Sequence, residues 1–150
     1  GLFSRQFFFP ATDYESLAME NFGSSSANMR SDAQNPLSPV YQAMNQKDYP
    51  AALAQLDRLP VGYQPLTVLN LRGECQFYLH QYPQSATSYQ QILQSGSADG
   101  DLREKAEWRL LLSYMAAKDQ QTKVDSLLDK VTAEGGQFAG KAKALKERMK

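Results

Sequence analysis

One pattern occurs twice in this chain, as YPAAL at residues 49–53 and as YPQSA at residues 82–86. Large apolar residues follow the two copies at matching offsets: Leu56 and Leu59, then Tyr89 and Ile92. Every matching pair is 33 residues apart. Because the apolar residues recur at three- and four-residue steps, a repeat of this length predicts pairs of helices that stack on one another. Such stacks present a surface that holds another chain, so the repeat also predicts a class of function.

Each Tyr-Pro pair is typical of a helix start. Proline has no N–H to donate, and its φ angle is already close to the helical value, so it suits the first helical turn. Ala52 and Ser85 lie one turn further on, where small side chains let two helix backbones approach. Gly73 lies in the preceding helical run, although glycine is a poorer helix former than alanine by about 1 kcal/mol. Its presence predicts that a neighbouring helix packs against its bare backbone.

The second copy has the most specific pattern. It resembles the tetratricopeptide repeat in the segment LNLRG at residues 69–73 and at four later positions: Tyr82, Ser85, Tyr89 and Ile92. A third unit is similar, with large residues in two helical runs: Trp108, Leu111 and Met115, then Val124, Leu128 and Val131. The resemblance covers residues 37–149. It implies an all-α fold, a right-handed α-α superhelix of about three helix pairs with a C-terminal capping helix.

The chain is expected to divide into an N-terminal extension, residues 1–35, and a helical repeat domain, residues 36–150. Residues 14–22 predict a short helix with Asp13 as its N-cap. The apolar residues of this helix share one side: Leu17, Ala18 and Phe22. Residues 23–35 have the polar composition of a flexible linker and are the expected disordered part.

Cap and turn residues divide the last third of the chain. Asp101 and Glu104 predict a capping box at the start of the third unit's first helix. Gly135-Gly136 is expected to end its second helix. Residues 138–149 predict a terminal helix, whose lysine-rich outer face suits the polar cap that such an array requires.

The composition gives no support to several classes of function. Sixteen basic and sixteen acidic residues interleave along the chain, so no basic surface for nucleic acid is expected. Cys75 is the only cysteine and His80 the only histidine, so neither a zinc cluster nor a catalytic constellation is expected. Cys75 is expected to be a small buried apolar residue. We expect no cofactor, no metal site and no enzymatic activity.

In stacked helix pairs the first helix of each unit lines the concave face. The resemblance places eight residues in that groove: Tyr41, Asn45, Asn70, Glu74, Phe77, Tyr78, Arg109 and Ser113. Amides can hydrogen-bond a peptide backbone, and aromatic rings supply contact area. Members of the family that bind a C-terminal carboxylate use lysine and asparagine there, so Glu74 argues against such a ligand. Two other interpretations stay open: the residues form a solvated face, or the N-terminal segment covers them.

The chain opens with aromatic residues, and Phe3, Phe7 and Phe8 form a candidate docking segment. This segment either packs on the repeats as a strap or docks on another subunit, because an uncovered apolar patch favours aggregation. The opening Leu-Phe, the later phenylalanines and Pro10 resemble a family of envelope proteins common in Bacteroidetes. That resemblance implies a membrane anchor upstream of residue 2 and a periplasmic or membrane-anchored location.

The function implied by the repeats is a non-catalytic module that binds a peptide or partner protein on its concave face. One alternative is a self-assembly domain, in which the aromatic segment docks on a neighbouring chain and forms a homo-oligomer. Its mass in light scattering would depend on concentration until residues 1–10 were removed. The other alternative is a small-molecule or glycan-binding accessory domain. It requires a deep pocket around Trp108, Tyr78 or Phe77.

Overall fold

The computed structural model describes residues 13–23, 34–118 and 120–150. Within these ranges every regular element is an α-helix. In chain order the helices are α1 Tyr14–Phe22, α2 Ser38–Asn45, α3 Tyr49–Asp57, α4 Pro65–Tyr78, α5 Tyr82–Ser95, α6 Gly100–Ala117, α7 Gln121–Glu134 and α8 Ala139–Arg148. The predicted all-α, repeat-like fold is confirmed.

The helices from α2 to α7 form three pairs, each helix packs against the next along the chain, and α8 closes the array. The two Tyr-Pro pairs open α3 and α5, with proline in the first turn of each helix. The Asp48 carboxylate caps α3 by accepting a hydrogen bond from the Ala51 N–H at 3.1 Å. Both helix starts predicted from Tyr-Pro are therefore confirmed.

Small residues bring α4 and α5 into close contact. A Cβ atom added to Gly73 would lie 2.6 Å from Cε2 of Tyr89, so the ring occupies the space that any side chain would need. The Ser85 hydroxyl donates a hydrogen bond to the Gly73 carbonyl at 2.7 Å. Ser85 and Ala52 are both fully buried. The packing role predicted for these three small residues is confirmed.

The buried apolar residues form two clusters. The smaller cluster joins α2 and α3 to one side of α4, around Leu71 and Cys75. The larger cluster joins α1 to the end of α4 and to helices α5 through α8, with Phe77, Tyr89 and Trp108 fully buried in it. Cys75 is buried as predicted, and this burial raises the pKa of its thiol to about 12.

The predicted capping box at Asp101 and Glu104 is wrong. α6 begins at Gly100, and the preceding Asp99 caps it by accepting a hydrogen bond from the Leu102 N–H at 2.8 Å. Glu104 instead accepts a hydrogen bond from the Gln137 N–H at 2.9 Å and ties α6 to the turn before α8. The helix starts two residues earlier than expected because the short side chain of Asp99 already satisfies a first-turn donor.

The predicted short helix at residues 14–22 is confirmed. Its cap is Asp13, whose carboxylate accepts a hydrogen bond from the Ser16 N–H at 3.1 Å. The proposed docking residues Phe3, Phe7 and Phe8 lie outside the described residues, as does most of the linker expected at residues 23–35. Among the described helices, none combines the length and the apolar character that a bilayer crossing requires.

Candidate functional site

α1 packs against α6 and runs in the opposite direction. Glu15, in the first turn of α1, has Oε1 3.7 Å from the Lys118 Nζ at the end of α6. At the other end of α1, the Asn21 carbonyl accepts a hydrogen bond from the Trp108 indole N–H at 3.4 Å. The N-terminal helix therefore spans much of the length of α6.

The surface under α1 is made by the first helices of two pairs, α4 and α6, together with the terminal helix α8. Glu20 forms an ion pair with Arg148 of α8, and Phe22 stacks on a ring of α4. We call this surface the first-helix face. Its residues that contact α1 are Phe77, Tyr78, Trp108, Arg109, Lys118 and Arg148, together with His80 and, from α5, Tyr82 and Tyr89. α1 therefore lies across two of the helices on which the groove was predicted.

Phe22 is the main apolar anchor of α1. Its ring is 4% exposed and stacks on the Phe77 ring, with centroids 3.9 Å apart and planes 13° apart. Tyr78 and Tyr89 meet the Phe22 ring edge-on, at centroid distances of 5.5 and 6.2 Å. The guanidinium carbon of Arg109 lies 4.5 Å from the Phe22 centroid. Because Phe77 covers one face of the ring, this cation lies against the other face, and the ring is fixed in orientation as well as buried.

The C-terminal carbonyls of α1 accept hydrogen bonds from α6. A helix leaves its last four carbonyl groups without partners inside the helix. Arg109 Nη2 donates to the Gly23 carbonyl at 3.1 Å, beside the bond from Trp108 to Asn21. The guanidinium also places a positive charge at the negative end of the helix dipole. α6 therefore binds α1 at the point where α1 ends.

Arg109 also holds a polar cluster beneath α1. Its Nη1 lies 3.2 Å from the Glu74 carboxylate, 3.3 Å from the Asn70 amide oxygen and 3.4 Å from the Tyr89 hydroxyl. Burial lowers the pKa of Arg109, but Tyr89 and Glu74 raise it more, so the net pKa lies above its ordinary value. Burial raises the pKa of the Tyr89 phenol. The cluster therefore contains a permanent cation, while the Tyr89 hydroxyl and the Asn70 amide are neutral.

The first turn of α1 meets a second polar cluster. Tyr82 donates a hydrogen bond from its hydroxyl to Glu15 Oε2 at 2.5 Å, and His80 Nδ1 lies 3.6 Å from the same oxygen. Lys118 completes the cluster on the α6 side. Burial raises the pKa of the Tyr82 phenol, and the hydrogen bond to Glu15 raises it further. An acidic residue in the first turn of α1 therefore meets one neutral donor and two basic side chains.

Five of the eight predicted groove residues lie together: Phe77, Tyr78 and Arg109 contact the Phe22 ring, and Asn70 and Glu74 contact Arg109. They do not form an open groove, because α1 covers them. On α2, Tyr41 is buried in the smaller apolar cluster and Asn45 is exposed. Ser113 does not line the first-helix face. Its hydroxyl is buried between α5 and α6, where it donates to the Arg109 carbonyl at 2.8 Å and lies 3.1 Å from the Ser85 hydroxyl.

The groove prediction omitted the residues of α1 and their basic partners, Lys118 and Arg148. One signal in the sequence could have indicated them. Residues 13–23 contain three acidic side chains and no basic one, while the residues that they meet lie at the ends of two other helices. Such a charge imbalance favours docking of this segment on a basic surface.

The rings proposed for a small-molecule pocket are buried against other rings. Trp108 stacks on Phe138 with centroids 5.4 Å apart, and Phe77 stacks on Phe22. A cavity of about 230 Å³ lies elsewhere, between α5, α6 and α7 beside Tyr82 and Tyr114. In the ranges that the structure covers, no group of three or more histidine, cysteine, aspartate or glutamate side chains is placed to hold a metal ion.

In comparisons with known proteins, no family model, no curated protein and no solved structure matches this chain.

Proposed function

We propose that the chain is a non-catalytic protein-interaction module that binds a short helix of a partner protein on its first-helix face. The observation that carries this proposal is the way in which α1 is held on the first-helix face. A helix of nine residues lies there with a buried aromatic anchor, hydrogen bonds at its last carbonyls and ion pairs at both ends. Placing one side of an amphipathic helix in an apolar groove is a recurrent mode of peptide recognition.

α1 differs from the other helices in how it is connected. Helices α2 to α8 each pack against their neighbours in the chain, whereas α1 packs against α6, far from it in sequence. Only the segment at residues 24–33 joins it to the rest of the described chain. If α1 left, Phe77 and Trp108 would face water, and an exposed apolar patch of this kind favours binding of another apolar surface. A partner helix would therefore compete with α1 for one site.

Fluorescence anisotropy with a labelled peptide of residues 13–23 tests this proposal on the full chain. In the wild-type chain α1 is covalently part of the molecule that carries its binding surface, so it competes with the added peptide and excludes most of it. The Phe22→Ala substitution in the chain weakens α1 but leaves the first-helix face intact. We expect the Phe22→Ala chain to bind the wild-type peptide at least about tenfold more tightly than the wild-type chain does.

Tyr63→Ala is the matched control, because Tyr63 is a partly buried aromatic residue that packs on the smaller cluster. We expect Tyr63→Ala to destabilise the chain without weakening the contacts of α1, so peptide binding should stay at the wild-type level. Since Phe22→Ala also removes core packing, Glu15→Lys in the chain is a second opening variant that acts through charge at a partly exposed site. The proposal fails if neither opened chain binds the peptide more tightly than the wild-type chain.

We also propose that the array belongs with the tetratricopeptide repeats and acts at the cell envelope. The family proposal is supported by the 33-residue spacing and by the close contact of Gly73 with Tyr89. The location is supported by the resemblance of the N-terminal residues to envelope proteins. Immunoblotting of separated cell fractions tests the location, and a signal confined to the cytoplasmic fraction would contradict it.

A further inference from the structure

We infer that the first-helix face selects helices by the way they end, and that its partner carries a short acidic helix closed by Phe-Gly. This inference rests on the proposed function, since it names the partner that the same face would take. The pattern is read from residues 15–23 as E-x-L-A-x-E-x-F-G, in which the fixed positions are those held by the first-helix face.

The first selective feature is the aromatic position. The Phe22 ring lies between the Phe77 ring and the Arg109 guanidinium, at 3.9 and 4.5 Å from its centroid. A flat π-system is needed for both contacts, because a cation is attracted to the face of an aromatic ring. An aliphatic side chain such as leucine would fill part of the volume and lose both interactions. This position therefore favours phenylalanine over aliphatic residues.

The second feature is the end of the helix. Gly23 has φ +70° and ψ +153°, so the chain leaves the helix here and its carbonyl points to Arg109 Nη2 at 3.1 Å. A helix that continued would use the Asn21 carbonyl for its own hydrogen bond four residues on, and Trp108 would lose that acceptor. Glycine adopts a positive φ without steric strain. The donors of α6 therefore recognise a terminus and not merely a helical surface.

The third feature is the sign of the charge in the first turn. Glu15 meets the Tyr82 hydroxyl, the Lys118 ammonium and the His80 imidazole. A basic residue at this position would face the Lys118 ammonium, and like charges at such distances repel. Between the two ends, Leu17 and Ala18 are buried, and Ala18 is fully so. A residue larger than alanine at position 18 would need space that the packed core does not leave.

A panel of labelled peptides on the Phe22→Ala full chain tests the inference. The wild-type peptide of residues 13–23 is compared with its Phe22→Leu and Glu15→Lys variants. A third variant replaces Gly23 by alanine and adds four further alanines, which extend the helix. We expect each of the three to bind at least about tenfold more weakly than the wild-type peptide. Tyr14→Phe is the control peptide and should bind as the wild type does, because it keeps the ring that packs on the core.

The outcomes separate the two proposals. If the wild-type peptide binds and all three variants bind equally well, the first-helix face binds helices whatever their first-turn charge, aromatic residue and C-terminal end. That result overturns the inference and leaves the proposed function standing. If the wild-type peptide binds neither the Phe22→Ala nor the Glu15→Lys chain, both proposals are wrong. Circular dichroism of each chain shows that the helices are present before binding is measured.

Discussion

At the scale of single residues, Arg109 joins its own helix α6 to three others. Its guanidinium lies against the Gly23 carbonyl of α1, two side chains of α4, and the Tyr89 hydroxyl of α5. The side chain is only 5% exposed, and that of Glu74 is fully buried. Arginine suits this place because its planar group offers five donors in a fixed geometry and keeps its charge when buried.

Arg109→Met should lower the free energy of unfolding by about 3–5 kcal/mol, because it removes the cation 3.2 Å from the buried Glu74 carboxylate. Urea unfolding followed by circular dichroism measures the loss. The double variant Arg109→Met with Glu74→Gln removes the charge of both partners and should recover part of that loss. If the free energy of unfolding of the Arg109→Met variant were within about 1 kcal/mol of the wild-type value, the Arg109–Glu74 pair would not be buried as described.

Gly73→Ala should destabilise the chain by about 1–3 kcal/mol, although alanine is normally the better helix former. The added Cβ would lie 2.6 Å from the fully buried Tyr89 ring, which has no room to move aside. Gly140→Ala in α8 is the control, because its Cβ would meet nothing within 4 Å. It should stabilise the chain by up to about 1 kcal/mol. Equal thermal shifts for both variants would contradict the close contact of α4 with α5.

Much of this packing could be predicted from the sequence, because it repeats locally. Ala52, Ser85 and Gly73 recur or lie at fixed distances from Tyr-Pro, and a repeated pattern fixes their neighbours. The bond from Arg109 to Gly23 joins residues 86 positions apart in the sequence. Nothing in the periodicity of either segment specifies such a pair, so the partner of Arg109 could not be predicted.

At the scale of helices, the N-terminal end of α6 shows how a cap is chosen between two nearby acids. Asp99 and Asp101 both precede the apolar run; Asp101 was predicted to be the cap, but Asp99 is the residue that caps α6. The deciding factor is the turn before the helix, in which Asp99 has an extended backbone with ψ 175° and can reach the Leu102 N–H. Sequence spacing alone does not specify that backbone angle.

Asp99→Ala should therefore cost about 0.5–2 kcal/mol of stability through the lost cap. Asp101→Ala is the matched control, because Asp101 lies within the first turn and contributes at most through the helix dipole, about 0.3–1 kcal/mol. Chemical denaturation of the two variants side by side separates the roles. A larger loss for Asp101→Ala would support the capping box and contradict the described helix start.

The existence of α1 could be predicted from the sequence, but the surface against which it packs could not. The cap at Asp13 and the shared side of Leu17, Ala18 and Phe22 specify an amphipathic helix with one buried face. They do not specify which surface buries it, because several helices of the array have apolar sides. Only the acidic residues of α1 carry that information, through their basic partners on α6 and α8.

At the scale of the whole molecule, the acidic groups with raised pKa values predict alkaline unfolding. Burial raises the pKa of Cys75 from 9.0 to about 12 and that of Tyr78 from 10.0 to about 12. Burial also raises the pKa values of Tyr82 and Tyr89. The folded state therefore keeps these groups neutral at a pH where the unfolded chain loses their protons. Their contribution to stability is complete below pH 9 and is lost as the pH rises toward 12.

We expect the urea midpoint to fall steadily as the pH is raised from 9 to 12, since the unfolded state then binds fewer protons than the folded state. Tyr78→Phe removes one of the titrating groups and should make this decline shallower. A midpoint that is independent of pH over this interval would show that these side chains are solvated. Absorbance at the tyrosinate band reports the ionisation in the same samples.

The most direct measurement of the placement of α1 is the nuclear Overhauser spectrum of the intact chain, read from the ring protons of Phe22. We predict cross-peaks from this ring to the Phe77 ring and to the Arg109 side chain, because its centroid lies 3.9 Å from the first and 4.5 Å from the guanidinium carbon of the second. A Phe22 ring with cross-peaks only to other protons of residues 13–23 would contradict the account, since α1 would then not lie on the first-helix face.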